Sequence, residues 1–249
     1  MKIGVIYRLI PDTEKHFDIS SDGEVDSANL SMLVNPTDEN ALESALSYKD
    51  KFDNTQIVLI GVGPHGFESE IRSGVSLGVE SAIYFNVKDY FSVENSEIAL
   101  KLSSFVTSES IDMIFIGNHS LDTSGNSLSA MLAAYLKWDL ETNINKLEYQ
   151  EGGILVSQNI SANKYYSFEV GFPVVLAVNK DVNEVRYPNI IEILNGKKKL
   201  IRIEEINSDD NEVLAIKKIK TKNQNVFFEG DIKNAVQELI GVLKEQNVI

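Results

Sequence analysis

No cysteine occurs among the 249 residues. That absence removes disulfide frameworks, thiolate metal sites, cysteine nucleophiles and iron–sulfur ligation, and it fits a reducing compartment. Positive charge is short as well: 23 lysines and arginines face 37 acidic residues, giving a formal charge of −14 and a pI of about 4.7. A surface this acidic repels phosphate backbones, so nucleic acid is not an expected partner. No apolar run approaches the ~18 residues a membrane span needs. The first one, Ile3–Tyr7, stops at Arg8 and is too short for the core of a signal peptide, so the expected address is the cytoplasm. The three histidines, His16, His65 and His119, lie far apart and form no H-x-x-H or H-E-x-x-H spacing, so a zinc site is not expected. G-x-S-x-G and G-x-x-x-x-G-K-[ST] are also missing, which removes the nucleophile elbow and the P-loop. With no visible catalytic set, the chain is not expected to be an enzyme in its own right.

What is present is alternation. Ile3–Tyr7, Ile57–Val62, Ser81–Phe85, Met113–Ile116 and Phe172–Val178 are short apolar runs, the signature of strands buried on both faces of a parallel sheet. Between them lie helical patterns over Asp38–Tyr48, Phe67–Leu77, Glu97–Val106 and Ser127–Leu136, each with apolar residues on one stripe. This βαβ order predicts an open, mostly parallel α/β sheet with flanking helices. The second half changes character. Gly152–Ile160 and Tyr165–Val170 read as an antiparallel pair around residues 161–164. Lys180–Lys199 is polar, carries a proline and shows no clear period, so an extended loop is expected there. Glu204–Glu212 is acidic and expected to be flexible, and Asp231–Glu245 is an amphipathic helix. The expected division is a domain over residues 1–200 and a C-terminal arm with a helix over 201–249.

Several loops could carry function. Gly61-Val62-Gly63-Pro64-His65-Gly66 falls between a strand and a helix, where glycines let backbone approach a ligand and a helix N-terminus favours anions. It lacks the third glycine of the dinucleotide fingerprint, and a purely structural turn is an equal reading. Gly117-Asn118-His119-Ser120-Leu121-Asp122-Thr123-Ser124-Gly125-Asn126-Ser127 follows the fourth strand. That is the carboxyl edge, where open α/β sheets bind ligands. It offers hydroxyls, amides and backbone N–H groups but no lysine or arginine, a set suited to phosphate held by neutral donors and a helix dipole. The alternative is a plain helix cap through Asp122 or Ser124. Asn35-Pro36-Thr37-Asp38 reads, by itself, as a helix start. The stretch from Asp181 to Lys199, with three terminal lysines, is either a contact surface or a loop lying on the core.

In order, these pieces resemble one family, the β subunit of electron-transfer flavoprotein. The resemblance runs from Arg8 to Pro11-Asp12 through Asn35-Pro36-Thr37-Asp38-Glu39-Asn40-Ala41-Leu42-Glu43, Gly61-Val62-Gly63-Pro64, Ser76–Ala82, Gly117–Asp122 and Leu136-Lys137-Trp138. It ends at Asn183-Glu184-Val185-Arg186-Tyr187 followed by Lys197-Lys198-Lys199, the most specific match. Val185, His119, Ser127 and Thr37 depart from the family's usual residues. The resemblance implies an adenine-nucleotide-binding, Rossmann-like domain in a heterodimer with an α subunit. That heterodimer would take electrons from flavoprotein dehydrogenases and pass them to a quinone oxidoreductase, with the redox FAD mainly on the α subunit and a structural AMP in this one.

The resemblance further implies that Ile6, Asn35, Pro36, Thr37, Asp38 and Val62 lie at the AMP. Gly117, His119, Asp122, Thr123, Ser124, Gly125, Asn126, Ser127 and Leu128 would hold its ribose and phosphate. Arg186, Tyr187, Ile190 and Leu194 would meet the dehydrogenase, with Ile190 as the anchor, and the C-terminal arm would pack on the α subunit. Two alternatives stay open. One is a bifurcating member with a second FAD in the AMP pocket. The other is a stand-alone ATP- or AMP-binding module of the stress-protein type.

Overall fold

The computed structural model describes residues 1–15, 31–88, 90, 93–161, 164–206, 227–228, 230–246 and 248. In chain order the strands are β1 Lys2–Pro11, β2 Met32–Val34, β3 Gln56–Pro64, β4 Ser81–Val87, β5 Met113–Gly117, β6 Asp139–Gln150, β7 Gly153–Ser161, β8 Lys164–Val170, β9 Val174–Val178 and β10 Ile201–Ile206. The helices are α1 Pro36–Lys51, α2 Arg72–Ser76, α3 Asn95–Ser108, α4 Ser127–Leu136, α5 Ile190–Lys198 and α6 Ile232–Glu245. Residues 1–214 and 215–249 form two separate units.

In the first unit the strands run β10-β4-β3-β1-β5-β9-β6-β7-β8, with β2 paired only to β1. From β10 to β6 every neighbour is parallel, whereas β6, β7 and β8 pair antiparallel. This is the open, mostly parallel α/β sheet that the alternating pattern predicts. Strand residues alternate between its faces. Ile3, Val5, Tyr7 and Leu9 of β1 join Ile57 and Leu59 of β3 in a core with Ala41, Leu42, Ala45 and Leu46 of α1. Ile6, Val58, Ile60 and Val62 point the other way, into a core with Ile98 and Leu102 of α3 and Leu128 and Leu132 of α4. Burial on both faces explains why β1, β3 and β5 read as continuous apolar runs. The chain moves from β1 through β3 to β4 on one side and returns to β5 on the other, so the strand order reverses between β1 and β5.

Four local expectations are corrected. Phe67–Leu77 is mostly turns, with only Arg72–Ser76 helical; glycines at 66, 74 and 78 interrupt the pattern, and two of them take positive φ. β6 was not expected, because DLETNINKLEYQ is half-exposed and carries no apolar run. The expected loop over 180–199 instead holds a short 3₁₀ turn at Lys180–Val182, an extended stretch, and helix α5. The capping box explains the helix: the Asn189 side chain accepts from the Ile191 and Glu192 N–H groups, and Glu192 Oε2 accepts from the Asn189 N–H. Finally, Ile201–Ile206 is not part of an arm but a strand that pairs in parallel with β4. The remainder of the acidic segment, residues 207–212, lies outside the described residues, as does His16.

In the second unit, α6 starts at Asp231, whose Oδ1 accepts from the Asn234 N–H at 3.0 Å. Ile232, Val236, Leu239 and Ile240 form an exposed apolar stripe along it. Among the described residues no helix is long and apolar enough to cross a membrane.

Candidate functional site

The carboxyl ends of β1, β3 and β5 and the first turns of α3 and α4 surround a cleft of about 260 Å³. Its walls are Arg8, Val62, Tyr90, Val93, Asn95, Ile98, Ser120, Asp122, Thr123, Gly125 and Leu128. It lies where the strand order reverses, the position at which open α/β sheets take ligands. Val62, Val93, Ile98 and Leu128 make an apolar side, while Ser120, Asp122, Thr123 and Asn95 supply polar groups. Asn95 Nδ2 donates to Ser127 Oγ at 2.8 Å, tying together the starts of α3 and α4. Neither helix has its first N–H groups capped by the side chain before it. Two positive helix ends therefore converge beside the cleft.

The expected cap through Asp122 or Ser124 does not form: Asn126 holds the N-cap position. Asp122 Oδ1 instead accepts from the hydroxyl of Ser120 and from the Thr123 N–H. Ser124 takes a left-handed φ of 53°, and the Ser120 N–H donates to the Gly125 carbonyl at 2.9 Å. The loop thus closes on itself and presents Ser120, Asp122, Thr123 and Gly125 to the cleft.

Of the residues expected at a nucleotide, Val62, Asp122, Thr123, Gly125 and Leu128 line the cleft, while Ile6 is fully buried in the core beneath. Asn35, Thr37 and Asp38 are also buried, and their polar atoms are spent on the chain itself. The His119 carbonyl accepts from Asn35 Nδ2 at 3.0 Å and Thr37 Oγ1 at 2.8 Å. Asn35 Oδ1 accepts from the Leu121 N–H at 3.2 Å, and Asp38 Oδ1 from the Gly117 N–H at 2.8 Å. Pro36 opens α1. These residues pin the 117–121 loop to α1 rather than facing the cleft. Gly117 must be glycine, because a Cβ there would collide with Thr37 Oγ1 and Asp38 Oδ1. Gly63 serves a neighbour too: a Cβ there would meet the Tyr84 hydroxyl at 2.5 Å and Leu9 Cβ at 2.7 Å. Gly61 and Gly63 both lie within β3 and make room for Tyr84.

The residue that sequence reasoning missed is Arg8. It is 8% exposed. Its Nε donates to Asp38 Oδ2 at 2.8 Å and its Nη2 to Asp38 Oδ1 at 2.7 Å, the two-pronged geometry of a strong pair. Nη2 also donates to the carbonyls of Gly117 at 3.0 Å and His119 at 3.3 Å. Burial opposes the charge, but Asp38 outweighs burial and holds the guanidinium above its ordinary value. Tyr90 donates to the Leu9 carbonyl at 2.7 Å, and burial pushes its phenol up, so it stays neutral. In the sequence Arg8 shows as the polar residue that ends an apolar run and as the start of the family resemblance, neither of which gives it a place at the cleft.

A second feature is the face of α5. Tyr187, Ile190, Ile191 and Leu194 are 86%, 77%, 70% and 54% exposed. Four apolar side chains this open, within eight residues, form an exposed apolar patch. Arg186 is not free to join them. It donates through Nε and Nη2 to both Glu43 oxygens and through Nη2 to Asp50, and the Glu43 bonds hold its charge above the ordinary value. Nearby, Asn40 Nδ2 donates to Asn183 Oδ1 and Asn183 Nδ2 donates to the Asn40 carbonyl. Arg72 Nη1 meets the Gly196 and Lys199 carbonyls at the other end of α5. The helix is clamped at both ends while its apolar face stays open.

A family profile described as the electron transfer flavoprotein domain matches residues 23–210. The chain belongs to the electron transfer flavoprotein β-subunit family. It is 27% identical to an electron transfer flavoprotein subunit beta of Thermoanaerobacterium thermosaccharolyticum over the full length of both chains. It is also 27% identical to the Bradyrhizobium diazoefficiens subunit, with 99% of this chain and 98% of that protein covered. The Bacillus subtilis subunit is 26% identical with the same coverage. The family's role is electron carriage.

Proposed function

We propose that this chain is the β half of a heterodimeric electron carrier. On this reading it holds a structural AMP in the cleft at the β1/β5 reversal, and an α subunit holds most of the redox FAD. The carrier takes electrons from a flavoprotein dehydrogenase and delivers them to a quinone oxidoreductase. The cleft is the observation that carries the nucleotide. Its apolar side suits an adenine, Asp122 suits ribose hydroxyls, and the two uncapped helix ends with Ser120 and Thr123 suit a phosphate. At about 260 Å³ it falls just below the roughly 300–1,000 Å³ of drug-sized ligand sites. That volume favours a mononucleotide over a second FAD. The flavin, when bound, supplies the redox chemistry; this chain's residues hold, orient and present, and it catalyses nothing alone.

The open face of α5 supports dehydrogenase docking, with Ile190 as the central anchor. An interface resting on few anchors stays weak and short-lived, as a shuttle requires. The apolar stripe of α6 supports packing of the C-terminal helix on the α subunit.

Co-expression with the α subunit, followed by mass identification of released nucleotides, tests the proposal. One AMP and one FAD per heterodimer is the expected result. Two FAD and no AMP would establish the bifurcating alternative, and a solitary, purine-free chain would overturn the assignment. Asp122→Ala should lower both AMP content and heterodimer yield.

A further inference from the structure

The loop at the cleft contains no cation, which suggests a phosphate held by neutral groups alone. The tertiary structure adds one from elsewhere. Among the described residues Arg8 is the only lysine or arginine that lines the cleft, and it is more than nine-tenths buried. Its Nε and Nη2 are consumed by Asp38, Gly117 and His119. A guanidinium carries five N–H donors, and among the described residues no acceptor meets the two on Nη1. A buried arginine with two unengaged donors at a cleft wall, locked by a two-pronged carboxylate, is preorganised for an anion.

We propose that Arg8 is the residue by which this cleft reads phosphate, its Nη1 donating to the single phosphoryl group of a nucleoside monophosphate while Asp38 holds the guanidinium in place. This rests on the nucleotide reading of the cleft. The charge around the site also sets the number of phosphates. Arg8 is already matched by Asp38, and Asp122 adds an uncompensated negative charge. Each further phosphate adds repulsion with no cation to meet it, so affinity falls in the order AMP, ADP, ATP.

The test uses the heterodimer stripped of nucleotide, titrated with AMP, ADP, ATP and adenosine. In the parent protein AMP should bind about 10- to 100-fold tighter than adenosine, the range of a charged hydrogen bond. Arg8→Met should collapse that ratio towards one while adenosine affinity stays within about threefold. A ratio unchanged in Arg8→Met would overturn the proposal. So would parallel loss of AMP and adenosine, which would make Arg8 only a clamp on the 117–121 loop. Where Arg8→Met does not assemble, Arg8→Lys and Arg8→Gln decide. Lysine, keeping the charge, should preserve most of the ratio, and glutamine should not; equal ratios would overturn the proposal. ATP binding as tightly as AMP in the parent protein would overturn the charge argument. If the parent heterodimer binds neither AMP nor adenosine, the nucleotide reading itself fails, an outcome distinct from any produced by the variants.

Discussion

Gly117 shows how little room the site leaves at the scale of one residue. α1 lies so close over the end of β5 that Asp38 reaches both the Gly117 N–H and Arg8. Gly117→Ala would push a methyl into Thr37 and Asp38. It should cost about 1–3 kcal/mol in urea unfolding, the usual cost of overpacking, and lower AMP content in the same preparation. Ile190 is the opposite case. At 77% exposed, its truncation removes almost no buried contact, so Ile190→Ala should leave the unfolding midpoint within about 0.5 kcal/mol and flavin content unchanged. Stopped-flow electron transfer from the dehydrogenase should nonetheless slow by about tenfold or more, the effect of losing a central anchor. Unchanged transfer kinetics would remove the anchor assignment.

The element that most needs explaining is α5, a nine-residue helix with its apolar face to solvent. Isolated helices this short are marginal in water. Here the capping box fixes the start, Arg186 with Glu43 secures the approach, and Arg72 secures the end. Asn189→Ala should cost about 1 kcal/mol of helix stability. Hydrogen exchange at residues 191–198 should then speed up about fivefold without a matching change in the sheet. Uniform acceleration across the protein would show instead that α5 unfolds only with the whole domain. The sequence reads as an extended loop here, although Pro188-Asn189-Ile190-Ile191-Glu192 carries a helix-start signature. Its polar surroundings and missing period concealed it, because no face of α5 is buried in a large core. β6 and β10 escaped for the related reason that half-exposed or edge strands carry polar residues on the open side.

At the scale of the whole first unit, charge at the surface joins distant parts of the chain. Lys2 Nζ meets Glu109 Oε2 at 2.7 Å and Arg202 Nη1 meets Glu109 Oε1 at 3.3 Å, linking β1, the end of α3 and β10. The hydrogen bond from Lys2 holds the Glu109 carboxyl below its ordinary value of 4.5. A depressed carboxylate stabilises the fold above its unfolded value, and that contribution fades as pH falls through the folded value. The cluster is partly exposed, so its worth is about 1 kcal/mol or less. Glu109→Gln should therefore be slightly less stable than the parent at pH 7, and the difference should vanish as urea midpoints are followed towards pH 3. A difference that persists in acid would mean the substitution acts through packing rather than charge.

Local sequence determined the parts of this protein whose physics is local. Continuous apolar runs made β1, β3, β4, β5 and β9 central strands, and stripes of period 3.6 made α1, α3, α4 and α6 helices. The acidic composition and missing cysteines narrowed the chemistry, and the ordered motifs pointed to the family. Tertiary structure alone decided which polar residues line the cleft. Asn35, Thr37 and Asp38 read by themselves as a helix start, and only the resemblance places them at a nucleotide; in the fold Asn35 and Thr37 bond backbone groups of residues 119 and 121, while Asp38 bonds the Arg8 guanidinium and the Gly117 N–H. Arg8 looks like the end of a strand, yet Asp38 and the carbonyls of residues 117 and 119 hold it at the cleft wall. A hydrogen bond has direction and a short reach, so its assignment waits on which distant segments the fold brings within 3 Å. Burial of an apolar face carries no such demand, which is why hydrophobic pattern revealed the sheet and not the site.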